Sequence, residues 1–312
     1  MRDVERVDPS QIYVARKWSG VEWDCRTQGI SPSELRRRMR VYSSAEEVDN
    51  YFGAHEDQMK SLQMVEEAFD HRAKVLAGET LSRQLLRPAS LIVSLGGDNH
   101  EQYVSHYVKN QLTMVVNSDF SRSEGGMAYF LPQDMPEMYP KLLSGDFQVQ
   151  EWPRLKASIT RPDGRLFKVP QEAISEIYVG AWASISMSRY SAFGEKHKDS
   201  GALLALPAGM AEGSWFHSAG GNRLVDHTGI SRSERVADYL AREVWQGRTL
   251  QNINTSNELN PENVPVWITY SSYYDGTVSI DPKEKSGRNY RINRGDKVAI
   301  EFSDQPLRVI AR

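Results

Sequence analysis

The chain has 312 residues, enough for one large domain or two ordinary ones, and either can bury a sizeable core. Hydrophobic residues make up 39% of it, charged residues 25% and aromatic residues 10%, a globular profile that excludes a disordered or fibrous chain. A formal net charge of -3 gives no expectation of a surface that coats nucleic acid or membrane, and a single cysteine, Cys25, excludes an internal disulfide framework and a four-cysteine zinc site and points to a reducing compartment.

The opening stretch "MRDVERVDPS" has neither the apolar core of a secretion signal nor the acid-free composition of a transit peptide, and no run is long enough to span a bilayer. A cytoplasmic location is expected, or an organelle matrix if a transit peptide has been trimmed. Residues 11–15, "QIYVA", read as a first strand, and the stretch from Ser31 to Leu81 carries helical spacing, with "SPSELRRRM" as a helix start. Ala89 to Leu95 reads as a buried strand, Gln102 to Asn110 as a helix, and "LTMVVN" as another strand. Strand, helix and strand with short connections predict a parallel sheet.

After Pro140 the texture changes. "FQVQEWPRLKASI", "GRLFKV", "SEIYVGAWASISMSRYSAF", "GALLAL", "VPVWITYSSYY", "GTVSI" and "KVAIEF" read as strands between Gly, Pro, Asp and Asn turns, with one helix predicted over "SRSERVADYLAREVWQ". The expected architecture is α/β: an N-terminal parallel-sheet nucleotide-binding domain over residues 1–140, then a β-rich, β-sandwich-like domain over residues 141–312.

The segment "LIVSLGGDNH" ends a buried strand on Gly96, Gly97, Asp98 and Asn99. At the carboxyl end of a parallel strand, paired glycines let backbone N–H groups approach an anion, and the helix that follows aims its positive end at the same place. A carboxylate beside that turn suits acceptance of a hydroxyl proton in phosphoryl transfer, or help in holding Mg²⁺. The same four residues also read as ordinary turn chemistry. The pattern is neither a Lys-Ser/Thr phosphate loop nor the spaced glycines of dinucleotide-binding oxidoreductases.

Other residues carry weaker signals. The seven histidines show no helical ligand spacing, and His197 reads as part of a charged "EKHKD" turn. His100 reads either as a contact to a phosphate or acceptor hydroxyl, or as packing at a helix start. Trp215 and His217 beside glycines read as a base platform or as core, and Arg122, Arg161 and Arg189 as phosphate forks or solvated side chains.

The chain resembles the NAD kinases, in particular the mitochondrial type, in a superfamily that also holds the diacylglycerol and sphingosine kinases. The resemblance rests on Gly-Gly-Asp-Asn at 96–99 against Gly-Gly-Asp-Gly, and above all on "NSDFSRSEG", Asn117 to Gly125, against Asn-Thr-Asp-Pro-x-Arg-Ser-Glu-Gly. "AISEIYVG" is similar to the Ala-Leu-Asn-Glu-Val stretch, and "KHKDSGALLALPAG" with "GSWFHSAGG" to the segments that close over the nucleotide.

The resemblance implies an ATP-dependent transferase, a small-molecule kinase whose Asp98 prepares the acceptor hydroxyl, with the 2'-hydroxyl of NAD as the best acceptor and NADP as product. It implies that Gly96 and Gly97 border the phosphates, with Asn99 and His100 placed beside them by position although the family has other residues there; that Asn117, Asp119, Arg122, Ser123 and Glu124 shape the nucleotide loop; and that Ser175 and Glu176 meet the acceptor. Ser200, Gly201, Gly209, Gly213, Ser214 and Trp215 complete the implied nucleotide site. Mg²⁺ is implied as cofactor, held through phosphates, and a homodimer as the assembly, with no nucleic-acid or membrane partner. Three departures stand out: Asn99 replaces a glycine, Ser175 replaces the asparagine of Asn-Glu, and "LPAGMAEGSW" replaces a hydroxyl-rich segment. They leave open a kinase for another alcohol, such as a nucleoside or a cyclitol, and a nucleotide-binding regulator without turnover.

Overall fold

The computed structural model describes residues 6–123, 125–183, 186–213, 230–243, 256–259, 265–281 and 289–312. Contacts divide the chain into two units, Met1–Val149 with Arg308–Arg312, and Gln150–Leu307.

The first unit begins with β1 (Ile12–Arg16), α1 (Gly20–Gln28), α2 (Pro32–Met39) and α3 (Ala45–Ala68). Each helix has a start encoded in sequence. Ser19 and Glu22 form a capping box at α1, Ser31 accepts from the Glu34 N–H ahead of Pro32 at α2, and Ser44 with Glu47 forms a second capping box at α3. Then come β2 (Lys74–Ala77), α4 (Arg83–Leu86), β3 (Leu91–Gly96), α5 (Asp98–Ser105), β4 (Leu112–Asn117), α6 (Met135–Ser144) and β5 (Gln148–Trp152). The sheet order is β2-β1-β3-β4-β18-β5, where β18 (Leu307–Ala311) is the last strand of the chain. Strands β2, β1, β3, β4 and β18 are parallel. Strands β3 and β4 are buried at every position, as expected of central strands covered on both faces. Val14, Val93, Leu95, Met114, Val116, Phe130 and Ile310 belong to that core.

The second unit contains β6 (Leu155–Thr160), β7 (Leu166–Ala173), β8 (Glu176–Ala181), β9 (Ser188–Ala192), β10 (Glu195–Asp199) and β11 (Gly201–Ala205), then the short helix α7 (Pro207–Glu212). It continues through β12 (Ala237–Arg242), β13 (Ser256–Leu259), β14 (Val266–Tyr270), β15 (Gly276–Ile280), β16 (Asn289–Ile292) and β17 (Lys297–Phe302). They form two six-stranded sheets, β10-β9-β14-β17-β6-β7 and β13-β12-β11-β8-β15-β16. Alternate residues of both, among them Ile159, Val179, Leu204, Tyr239, Ile268, Val278 and Ile300, share one core, the packing of a β-sandwich. The mixed α/β architecture is therefore the expected one.

Five elements differ from the sequence reading. The Ser31–Leu81 stretch is not helical throughout, because Lys74–Ala77 pairs in parallel with β1 as β2. Helix α5 starts at Asp98, four residues early, with Gly97 as its cap and Asp98 and Glu101 in a first turn that favours acids. The helix predicted over "SRSERVADYLAREVWQ" is, in its described residues 231–243, a turn followed by the strand β12. Ala237, Tyr239 and Ala241 face the sandwich core and Leu240 the other side, so pairing with β11 overrides helical propensity. "EKHKD" is the strand β10 rather than a turn, and His197 is buried with its ring 5.0 Å from that of Tyr190. Finally, "PLRVI", read with the β-rich half, lies as β18 beside β4 in the first sheet.

Candidate functional site

Gly96 and Asn117 end neighbouring parallel strands in register, so the two specific motifs leave the sheet side by side. A Cβ on Gly96 would lie 2.6 Å from the Cβ of His100, so packing alone requires glycine there. Gly97 is different. The nearest atom to a Cβ built on it is the Ser123 Oγ at 3.5 Å, ordinary contact, so nothing in the described protein requires a glycine at 97.

After β4 the chain folds back through a loop organised by the buried Asn117 side chain. Its Oδ1 accepts from the Asp119 N–H at 3.0 Å and its Nδ2 donates to the Ser123 carbonyl at 2.8 Å. Gly125 has φ +63°, and a Cβ there would sit 2.4 Å from the Asn117 Nδ2, so both backbone and space require glycine. The loop then delivers two N–H donors to Asp98: Gly126 to Oδ2 at 3.1 Å and Met127 to Oδ1 at 2.8 Å. Asp98, half-buried at the first position of α5, thereby joins both motifs. A carboxylate has about four lone-pair sites, so each oxygen keeps room for a hydroxyl donor.

The remaining residues of this group are placed as follows. Asn99 is exposed in the first turn of α5 and does not adopt left-handed backbone, so its replacement of glycine imposes no strain. His100 is buried beneath the turn, its Nε2 2.8 Å from the Ala15 carbonyl. The Arg122 guanidinium bonds Asp57 of α3 at 2.9 Å and Asp119 at 3.0 Å, and it holds the Asp57 carboxyl below its ordinary range. Ser123 is half-buried beside Gly97. Glu124 lies outside the described residues, as do Ser214, Trp215 and His217.

In the second unit, Ser175 lies in the break between β7 and β8, Glu176 opens β8, and both are buried. Helix α7 approaches them closely. The Leu206 N–H donates to the Ser175 carbonyl at 2.8 Å, a Cβ on Gly209 would meet that oxygen at 2.4 Å, and one on Gly213 would meet the Glu176 Oε2 at 2.9 Å. Ser175, Glu176, Gly209 and Gly213 therefore form one cluster. Ser200 and Gly201 lie at the other end of the strands, Gly201 opposite Gly180 while Ala205 is opposite Glu176, a separation of about 13 Å. Gly201 serves packing, since a Cβ there would lie 2.5 Å from the Tyr178 ring.

Sequence reasoning missed three participants. The Gly126 and Met127 N–H groups carry no residue-type signal. The Asp281 carboxylate accepts from the backbone N–H groups of Ile174, Ser175 and Glu176 at 3.1, 2.9 and 3.0 Å, and a carboxylate one residue past "GTVSI" does not announce such a role. Burial pushes this carboxyl up to about 7 against the opposing pull of those three donors and of Arg154. Of the residues singled out in the sequence, only Arg161 lines any of the surface depressions of about 490, 700 and 410 Å³, the second of them, where its guanidinium is paired with Asp296. Among the described residues no group of three or more His, Cys, Asp and Glu is arranged to hold a metal ion, and no helix is long and apolar enough to cross a membrane.

No protein-family model matches the chain, and no curated protein sequence matches it. Solved structures do. A yeast NADH kinase complexed with NADH is similar over 96% of this chain and 83% of its own, with a TM-score of 0.60 and 15% identity. An NAD kinase from Archaeoglobus fulgidus in complex with ATP is similar over 80% of this chain and 88% of its own, with a TM-score of 0.59 and 17% identity. At these identities the likeness is one of fold.

Proposed function

We propose that the protein is an ATP-dependent kinase of the NAD kinase type, transferring a phosphate to a hydroxyl that Asp98 activates, with the 2'-hydroxyl of NAD as acceptor and NADP as product. The observation that carries the reading is the Asp98 carboxylate at the helix start after β3, held by the Gly126 and Met127 N–H groups so that the Gly-Gly-Asp turn and the Asn117 loop converge on one acid. Gly97 supports it, because packing gives no reason for a glycine there and a phosphate approaching backbone N–H groups does. The solved neighbours, an NADH kinase and an NAD kinase, support it through their shared fold.

In the proposed step the acceptor oxygen bonds to the terminal phosphorus of ATP, the bond from that phosphorus to the ADP oxygen breaks, and the hydroxyl proton passes to Asp98. The donor set around Asp98 suits Mg²⁺ held mainly by phosphates and water, since the Asp119 carboxylate is engaged by Arg122 and, among the described residues, no cluster of three metal-ligating side chains surrounds the turn. When bound, Mg²⁺ would neutralise developing phosphate charge. Glu176 is assigned to acceptor hydroxyls, whose protons its carboxyl oxygens can accept in hydrogen bonds. A homodimer in a reducing compartment belongs to the same proposal.

A second reading, a kinase for another alcohol, is favoured by Ser175. Its hydroxyl is buried against Gly209 and has no hydrogen-bond partner among the described residues, so it offers an acceptor none of the contacts of an amide. Incubation with ATP, Mg²⁺ and a panel of NAD, NADH, nucleosides and cyclitols separates the two. Phosphate on the 2'-hydroxyl of NAD or NADH supports the first reading; phosphate on a nucleoside or cyclitol but never on a dinucleotide replaces it with the second.

A further inference from the structure

We propose that Asp281 is a positioning residue for the acceptor: its carboxylate fixes the backbone of residues 174–176, and thereby the place at which Glu176 meets an acceptor hydroxyl. The inference rests on the reading of Glu176 as an acceptor-binding group.

Asp281 stands one residue past β15, is 1% exposed, and has φ +44°. Aspartate is among the few residues that tolerate left-handed backbone, yet the conformation still costs free energy, and so does burial of a carboxylate. Those costs are met by an unusual set of bonds. Oδ1 accepts from the Ser175 and Glu176 N–H groups and Oδ2 from that of Ile174, while the N–H of Asp281 itself donates to the Glu176 carbonyl at 2.9 Å. These N–H groups lie where the chain leaves β7 at Ala173 and enters β8 at Glu176, so the carboxylate satisfies donors at a break in regular pairing.

From the other side, α7 holds the same two residues through the Leu206 N–H on the Ser175 carbonyl and through the close approach of Gly213 to the Glu176 carboxylate. Glu176 is thus set between two fixed supports, and a displacement of its backbone by loosening one of them moves its oxygens relative to the glycines that pack on it. The Arg154 guanidinium, itself buried, adds attraction for the Asp281 charge. An amide at 281 retains one accepting oxygen and turns an NH₂ group toward the third N–H, so Asp281→Asn weakens the hold without opening a large cavity.

The test compares wild type, Asp281→Asn and a control, Asp296→Asn, which removes a buried carboxylate paired with Arg161 elsewhere in the same unit. Two readouts are needed: amide hydrogen exchange at residues 174–176, and KM measured separately for ATP and for NAD, or for whichever alcohol of the panel wild type phosphorylates best. Asp281→Asn is expected to speed exchange at 174–176 and raise the acceptor KM about tenfold each, the equivalent of one lost hydrogen bond, with the ATP KM within about twofold. Asp296→Asn is expected to lower stability while leaving both readouts near wild type. The proposal is overturned if exchange at 174–176 is unchanged, if both KM values rise together, or if the control reproduces the effect. A wild-type protein that phosphorylates no alcohol instead retires the assignment of Glu176, and the acceptor role of Asp281 with it, whatever the exchange data show.

Discussion

Asp199 is, with Asp281, one of two buried carboxyls whose titration couples directly to stability. It is fully buried beside His197, accepts from the Tyr190 hydroxyl at 2.9 Å and the Gly201 N–H at 2.7 Å, and is pushed up to about 7 by burial. A carboxyl raised in the folded state above its unfolded value of 3.8 takes up a proton on folding. Its stabilising contribution is therefore whole below about pH 4 and is lost as pH rises through about 7. Urea unfolding between pH 5 and 8 should show stability falling with a slope on the order of 1 kcal/mol per pH unit up to about pH 7, flattening above it. Asp281, raised to about the same value, adds a like slope, so Asp199→Asn should remove about half of the fall; an identical profile in the variant would contradict the assignment. None of this was legible beforehand, because "EKHKD" has the composition of a solvated turn and only pairing with β9 buries its alternate residues.

Helix α7 shows what the scale of one element adds. Alanine at Gly209 gains about 1 kcal/mol of intrinsic helix propensity, but its Cβ would meet a backbone carbonyl at 2.4 Å, and overpacking costs about 1–3 kcal/mol. The contact partner is backbone rather than a flexible side-chain tip, so the steric cost prevails. Gly209→Ala is expected to lower the urea midpoint by a net loss of up to about 2 kcal/mol with the m-value unchanged; a rise in the midpoint would show that α7 has slack. Elements with local signals were legible: the capped start of α2 and the apolar run of β3, broken only by Ser94, whereas the capping box that starts α1 went unread. Those decided by partners were not. β12 carries helical composition but pairs with β11, and β2 is only four residues long inside a helical stretch. In the candidate site, Asp98 and Asn117 were readable as motif residues, whereas Asp281 was not, since its partners are backbone groups more than a hundred residues away.

At the scale of the whole molecule, the last strand completes a sheet that the first strand began. β18 lies between β4 and β5, with Val309 opposite Thr113, the Thr113 hydroxyl donating to the Arg308 carbonyl at 3.1 Å, and Ile310 buried in the core of the first unit. Deletion of residues 307–312 exposes one flank of β4 and removes apolar side chains from that core. The first unit is expected to lose its cooperative urea transition, read by circular dichroism together with proteolysis of residues 6–149; a transition unchanged from that of the full chain would contradict the placement. The two carriers of the proposed chemistry, the Asp98 turn and the Ser175–Glu176 cluster, belong to different units, so each is testable by itself.

The most direct measurement concerns Asp98. Wild type and Asp98→Asn are compared for ATP binding by calorimetry and for transfer of labelled terminal phosphate to NAD in the presence of Mg²⁺. The account predicts ATP affinity within a few-fold of wild type and turnover lower by about 10²- to 10⁴-fold, the range for removal of a positioned general base. Equal turnover in the two proteins, whether both active or both at background, would contradict it.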